Sequence, residues 1–153
     1  MKKTTIKKTL LATAGISIAL VLAGCGANKG LQTYSINDAM KNMPASVKAK
    51  TGDFKFYFNE PAGLGSKNLG PIKTSNRTNA AGKSALTSCN WVFYSALLDL
   101  KQQALQMGGD AVANIHSNWK NNKTKSSTTF VCENGLWLTG VALTGEAVNR
   151  SKL

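Results

Sequence analysis

The sequence predicts an α+β fold, in which a small antiparallel sheet of four to five strands packs against one long helix. The first observation is the spacing of apolar side chains between Phe93 and Met107, which recur every three or four residues and form a stripe along one helix face. The second is the pair Gly108 and Gly109, which allows the positive φ values that end a helix at low cost. The third is the alternation in residues 111–116, whose period of two is typical of a strand.

The remaining elements follow from capping and turn signals. Ser35 predicts the N-cap of a short helix over residues 36–42, and Ser84 predicts the N-cap of the long helix, which begins at Ala85. Residues 76–83 are polar and predict a linker before that helix. Apolar alternation bounded by glycine, proline and polar residues predicts four further strands, at residues 53–58, 69–74, 128–132 and 136–147.

The first 25 residues are expected to lie outside this domain. Residues 1–8 carry four lysines, and residues 10–23 form an apolar run of 14 residues, which is short for a bilayer span and suits a signal peptide. The run closes on Leu22, Ala23, Gly24 and Cys25, which resemble the lipobox of bacterial lipoproteins, whose cysteine accepts a diacylglycerol. The alternative is an ordinary signal peptide with an accidental cysteine. We expect a lipoprotein signal peptide at 1–24, an acylated N-terminus and short tether at 25–33, and a single periplasmic α+β domain at 34–150.

A lipid on Cys25 would make the membrane the first partner of this chain. Two or three acyl chains hold a protein at a bilayer stably, whereas one chain does so only marginally. The next residue is Gly26 rather than the aspartate that retains lipoproteins in the inner membrane. We therefore expect anchoring in the outer membrane, with the domain facing the periplasm, or in the cell membrane if the organism is Gram-positive.

The chain is basic even without the signal peptide. The full sequence has 19 Lys and Arg against 7 Asp and Glu, and loss of the four lysines at positions 2, 3, 7 and 8 leaves 15 against 7, a net charge of +8. Lys120, Lys123 and Lys125 follow Trp119 in a predicted basic hairpin tip and form the candidate binding surface. Such a surface attracts an envelope protein, an anionic lipid or the cell wall, or it is merely solvated. Nucleic acid is not expected as a partner in the periplasm.

Two cysteines remain once Cys25 carries lipid. An even pair in an exported domain predicts one disulfide between Cys89 and Cys132, with two buried free thiols as the alternative. If residues 128–132 folded back as a plain β-hairpin on the strand before Trp119, Cys89 would lie near the Trp119 end and Cys132 near the far end. The two cysteines would then be separated by several residues of strand, at ~3.3 Å per residue. No metal site is expected, because the other soft ligand is His116 and the sequence has no CxxC or HxxxH spacing. Asn114 and His116 are candidates for a small-ligand site.

Catalytic motifs are weak, so we expect no catalytic residues, no enzyme activity and no cofactor. Residues 79–84 end in Gly-Lys-Ser ahead of a helix, as a phosphate-binding loop does. The leading glycine of such a loop is missing, because Arg77 occupies its place, and no buried strand precedes it. The seven acidic residues are scattered, and His116 is the single histidine. ATPase or excinuclease activity is therefore not expected.

A combination of features resembles the small exported bacterial proteins often labelled "excinuclease ATPase subunit". The residues that carry the resemblance are Cys89, 91–93, 108–117, Cys132 and 140–143. A more distant similarity is to the outer-membrane lipoprotein that senses envelope stress for the Rcs phosphorelay, which also has a cysteine eight residues before a Gly-x-Ala-Leu strand. This similarity implies a disulfide between Cys89 and Cys132, and it places Asn118 and Leu138 where that protein has its second bridge.

These features favour a binding module over an enzyme. The leading expectation is an outer-membrane-anchored periplasmic lipoprotein that acts as an envelope sensor or adaptor and contacts a protein or an anionic surface. The alternative is a small-ligand or metal-binding lipoprotein. A flat basic face would favour the first function, and a concave pocket around Asn114 and His116 would favour the second.

Overall fold

The computed structural model of the 153-residue chain describes residues 30–150. The predicted signal peptide, the predicted lipidation residue Cys25 and the first part of the tether lie outside the described residues. Within residues 30–150, no helix is long and apolar enough to cross a membrane. In chain order, the elements are β1 (Gly30–Ser35), α1 (Ile36–Lys41), α2 (Ala45–Thr51), β2 (Lys55–Phe58), β3 (Lys67–Asn79), α3 (Ala85–Gln106), β4 (Ala111–Trp119), β5 (Asn122–Thr124), β6 (Thr129–Asn134) and β7 (Leu138–Asn149).

The sheet is built around β7. One edge of β7 pairs with β3 along its whole length. The other edge pairs with β6 at Thr139 and Gly140, and then with β4 from Leu143 to Val148. Because β4 and β6 are both antiparallel to β7 on the same edge, they lie end to end and run in the same direction. β1 extends the sheet from β6, while β2 and β5 pair with β4.

The predicted sheet of four to five antiparallel strands is too small, since the described residues form seven strands and β2 pairs with β4 in parallel. Alternation reports which side chains share a face, but not which strands pair or in which direction. Gly30 to Thr33, assigned to the tether, lie in β1. β3 continues to Asn79 through the predicted linker, where Asn76 Nδ2 donates to Asp99 Oδ2 of α3 at 2.7 Å.

The predicted long helix is present as α3, and its apolar stripe packs on the inner face of the sheet. Ser84 Oγ accepts a hydrogen bond from Thr87 N at 3.1 Å, as an N-cap does. The ring of Phe93 stacks on that of Phe130 with centroids 4.1 Å apart. Each large side chain buried in this way contributes roughly 1.5–3 kcal/mol. The buried apolar residues of the helix are Cys89, Val92, Phe93, Tyr94, Ala96, Leu97, Leu100 and Ala104.

Two short helices precede the sheet's central strands. α1 begins as predicted, because Ser35 Oγ accepts a hydrogen bond from Asp38 N at 3.1 Å. It is tied to α3 by Tyr94, whose hydroxyl donates to the Ala39 carbonyl at 2.7 Å. α2 is not predicted by the sequence, since its seven residues bury just Val47 and a threonine and show no periodic stripe.

The predicted disulfide between Cys89 and Cys132 is present, with Cα atoms 5.9 Å apart. The hairpin geometry that would separate the two cysteines is wrong, because β6 does not fold back on β4 but continues its line along β7. This arrangement brings Cys132 to the start of β7. The helix brings Cys89 to the same place, where Thr139 Oγ1 donates to Ser88 Oγ at 3.1 Å.

Candidate functional site

The sheet has two faces of opposite character. Along β7, Val141, Leu143 and Ala147 belong to the core under α3, whereas Thr144 and Glu146 alternate with them and line surface cavities. Among the described elements, no helix covers this second surface, which we call the outer face. We call the part of the outer face that is lined by Asn114, His116, Asn118, Lys123, Lys125 and Glu146 the polar groove.

A β-bulge in β4 forms one wall of the polar groove. Asn114 and Ile115 together face the single residue Gly145 of β7, and Asn114 has a φ of 51°, which asparagine adopts more readily than most residues. The loop after β2 holds this conformation, because Asn114 N donates to the Glu60 carbonyl at 2.8 Å. Asn114 Nδ2 then donates to Glu146 Oε2 at 2.9 Å, which fixes the carboxylate at the groove wall.

His116 lies beside the bulge, and one of its two ring nitrogens makes no hydrogen bond within the described residues. Its Nδ1 is 2.7 Å from the carbonyl oxygen of Asn114. A carbonyl oxygen can only accept, so Nδ1 carries the hydrogen, and Nε2 is the acceptor of the neutral ring. Nε2 is buried and has no hydrogen-bond partner among the described residues. An unpaired buried polar atom costs ~1–3 kcal/mol, which a ligand or a water molecule that donates to Nε2 would recover.

Three open cavities follow one another across the outer face. Two of them, of about 290 and 280 Å³, share Asn114, His116, Lys123 and Glu146. The third, of about 370 Å³, extends toward β3 and shares Asn118 with its neighbour. Glu146 is the one acidic residue among the described residues that line them. The lysines that line them are Lys73, Lys120, Lys123 and Lys125.

The structure unites two groups of residues that the sequence left apart. Lys123 and Lys125, from the predicted binding surface, line the same cavity as Asn114 and His116, from the predicted ligand site. They reach it because β5 folds back on β4 and pairs Lys123 with Asn118. The sequence therefore identified both walls of one cavity without indicating that they meet.

Lys120 belongs to a different environment from the other two predicted lysines. Together with Asn121 it forms the two-residue turn between β4 and β5, and both residues have positive φ, as a tight hairpin turn requires. Its Nζ lies 2.8 Å from Glu133 Oε1. It also lies 5.9 Å from the ring centre of Trp119. Lys120 lines the third cavity, but its charge is already paired.

Sequence reasoning missed part of the site on β3 and β7. Lys73, Ser75 and Arg77 occupy alternate positions of β3, and all three are exposed. The pattern was visible in the sequence, but the predicted strand ended at Thr74 and the rest was assigned to a linker. Glu146 lay within a correctly predicted strand, and nothing in the sequence indicated that it would face Asn114 across the bulge.

The donors of the polar groove suit an anion. Lysine ammonium groups and amide N–H groups bind carboxylate and phosphate oxygens. Within residues 30–150, no group of three or more His, Cys, Asp or Glu side chains could hold a metal ion. No protein-family model, curated protein or solved structure matches this chain.

Proposed function

We propose that this chain is a lipid-anchored binding protein of the bacterial envelope, held through Cys25 at the outer membrane and facing the periplasm. It acts as a sensor or adaptor that binds an anionic partner in the polar groove. The observation that supports this function is the charge around the three adjoining cavities, where four lysines stand against one carboxylate. The partner is an envelope molecule that presents carboxylate or phosphate groups, on a protein or on a lipid or cell-wall surface.

Most of this positive charge is available to a partner. Lys73, Lys123 and Lys125 form no ion pair within the described part of the chain, whereas Lys120 is paired with Glu133. A single exposed ion pair contributes only ~0.2–1 kcal/mol. Several lysines of one sign around connected cavities act together, raising the association rate and selecting partners of opposite charge.

The arrangement favours binding over catalysis. Nδ1 of His116 is occupied by a backbone carbonyl, and neither ring nitrogen contacts a described hydroxyl or thiol that it could activate. Glu146 is held by the amide of Asn114 and has no second carboxylate among the described residues that line its cavities. The groove thus presents charges and hydrogen-bond donors without a nucleophile and base in contact.

Crosslinking in intact cells tests the proposed surface. A photo-crosslinking amino acid replaces Lys123 in the polar groove, and in a matched variant it replaces Leu105, which is 52 % exposed on the opposite side of the molecule. We expect a discrete adduct from position 123 and none from position 105. The same adduct from both positions, or from neither, would contradict binding in the groove.

A second candidate function is the binding of a small anion of the phosphate type that keeps a P–OH group, because this hydroxyl could donate to the unpartnered acceptor Nε2 of His116. A cavity of about 290 Å³ is close to the lower limit of ligand pockets, ~300 Å³. Calorimetric titration separates the two functions with inorganic phosphate and polyglutamate as probes. Saturable phosphate binding that His116→Ala abolishes would favour the small anion. Polyglutamate binding that survives His116→Ala would favour the extended partner.

The anchor is tested independently of the groove. Cys25→Ser removes the thiol that accepts the lipid and with it the site of processing. We expect this variant to remain uncleaved or to leave the outer-membrane fraction, as measured by fractionation and by the mass of the protein. Unchanged mass and fractionation would exclude the lipoprotein.

A further inference from the structure

Exposed apolar side chains are concentrated at one end of the domain. The turn between β6 and β7 presents Leu136, Trp137 and Leu138, which are 63 %, 73 % and 57 % exposed. Leu31 on β1 and Leu86 in the first turn of α3 are exposed at the same end. Five of the nine large apolar side chains that are exposed within the described residues therefore lie here.

The turn is held in place rather than loose. Gly135 N donates to the Leu138 carbonyl at 2.9 Å, which closes the turn, and Ala80 N donates to the Trp137 carbonyl at 2.9 Å. Lys83 lies beside the turn, because its Nζ donates to the Asn79 carbonyl at 3.0 Å and Asn79 pairs with Leu138. With the backbone fixed, the apolar side chains of the turn point into solvent with a cation beside them. This combination is typical of a surface that meets an anionic bilayer interface.

The start of the described chain lies at the same end. Gly30 pairs with Asn134, the residue just before the turn. Only five residue steps separate Gly30 from Cys25, and an extended chain covers at most about 3.6 Å per residue, hence about 18 Å in all. A lipid on Cys25 would keep this end of the domain close to the bilayer surface.

We infer that the β6–β7 turn inserts Leu136, Trp137 and Leu138 into the interface of the bilayer leaflet that holds the lipid of Cys25. Tryptophan is enriched at this depth because its ring is apolar and its N–H is polar. The inference rests on the proposed anchor. It also orients the domain, because Glu146 lies eight residues further along β7 than Leu138. The turn in the membrane would leave the polar groove open to the periplasm.

Tryptophan fluorescence tests the insertion. The protein is extracted from membranes with its lipid and reconstituted in vesicles of phosphatidylethanolamine and phosphatidylglycerol, with or without brominated acyl chains, which quench nearby tryptophan. We expect brominated lipid to remove emission from the natural protein and to remove much less from Trp137→Phe. Trp91 and Trp119 are present in both proteins, so the difference reports Trp137 alone.

The control moves the fluorophore to the opposite end. Leu64 is fully exposed in the β2–β3 loop, near Lys67, which pairs with Asn149 at the far end of β7. We expect the double variant Trp137→Phe, Leu64→Trp to show no quenching at position 64. Flotation with vesicles while Trp137 stays unquenched, or equal quenching at both positions, would overturn the insertion alone. Failure of the natural protein to float would overturn the anchor and the insertion with it.

Discussion

The inner and outer faces of the sheet are made by alternate residues of the same strands, but they have different roles. On β4, Ile115 is fully buried under α3, whereas the next residue, His116, lines the polar groove. On β7, Ala147 is in the core and Glu146 lines two of the cavities. The inner face carries the helix and the disulfide, and the outer face carries the unpaired lysines. Substitutions on the two faces should therefore separate stability from binding.

The largest expected effect belongs to the inner face. Replacing both Cys89 and Cys132 with serine removes a crosslink that spans 43 residues. The chain-entropy relation gives a loss of about 4 kcal/mol in the free energy of unfolding. We expect denaturant unfolding to show this loss. Polyglutamate binding, measured at a temperature where the variant is still folded, should be unchanged.

Reduction of the natural protein provides the control for this variant, because it breaks the same bond without changing side-chain volume by more than two hydrogens. Both treatments should give similar losses. A variant that loses polyglutamate affinity while its circular dichroism spectrum stays native would show that the disulfide shapes the groove, and the separation of the two faces would then fail.

Gly140 lies on the outer face, but a substitution there should reduce stability, unlike most substitutions on that face. The ring of Trp119 lies against it, and a Cβ at this position would clash with the ring carbons. Trp119 is buried with Val131 and Ala142, and Arg77 lies 5.8 Å from its ring centre. Gly140→Ala should therefore cost roughly 1–3 kcal/mol in unfolding free energy, as overpacking does.

A second substitution tests the cause of that loss. If the clash with the ring is responsible, Trp119→Leu should make Gly140→Ala nearly neutral, so that the double variant is little less stable than Trp119→Leu alone. Equal costs of Gly140→Ala in both backgrounds would mean that the ring is not what excludes a side chain here.

The sequence predicted the local elements better than their assembly. The stripe of α3, its Ser84 cap and the strand after Gly109 depend on nearest neighbours along the chain, and all three are present. The parallel pairing of β2 and the end-to-end placement of β4 and β6 depend on contacts between distant segments, which alternation does not encode. The convergence of Lys123 with His116 was unpredictable for the same reason.

A smaller effect is expected from an ion pair at the end of the sheet, where Asp110 precedes β4 and Arg150 follows β7. Arg150 Nη2 lies 3.1 Å from Asp110 Oδ2. Burial acts to raise the pKa of Asp110, but hydrogen bonds from Arg150 and its charge outweigh burial, so this pKa lies below its ordinary value. A carboxyl with a lowered folded pKa stabilises the protein above its unfolded pKa, ~3.9, and loses that contribution as the pH falls through the folded value.

Asp110→Asn should remove this pH dependence. The side chains of Asp110 and Arg150 are 34 % and 30 % exposed, so solvent screening limits the contribution to less than about 1 kcal/mol. Urea unfolding at neutral pH should give the natural protein a free energy of unfolding that is larger than that of Asp110→Asn by this amount. The difference should disappear as the pH falls below ~3.9. A difference that persists at the lowest pH would assign the stabilisation to packing rather than to charge.

The smallest effect on stability, and the largest on binding, should come from the polar groove. Lys123→Gln with Lys125→Gln removes two exposed charges without ion pairs among the described residues. Such surface changes usually alter the unfolding free energy by less than about 0.5 kcal/mol. Binding to polyglutamate should weaken and its dependence on salt should flatten, because screening acts on the charges that were removed. Adding Lys120→Gln together with Glu133→Gln should weaken binding little further, since these changes remove an ion pair without altering the net charge.

A matched pair on α2 decides whether position matters or only net charge. Lys48→Gln with Lys50→Gln removes the same two charges from exposed sites on a helix remote from the outer face. If the groove binds the partner, this second pair should leave both the affinity and its salt dependence nearly unchanged. Equal losses from the two pairs would mean that polyglutamate responds to the net charge of the domain. The lysines of the groove would then be ordinary solvated surface, and the two faces would differ in burial but not in function.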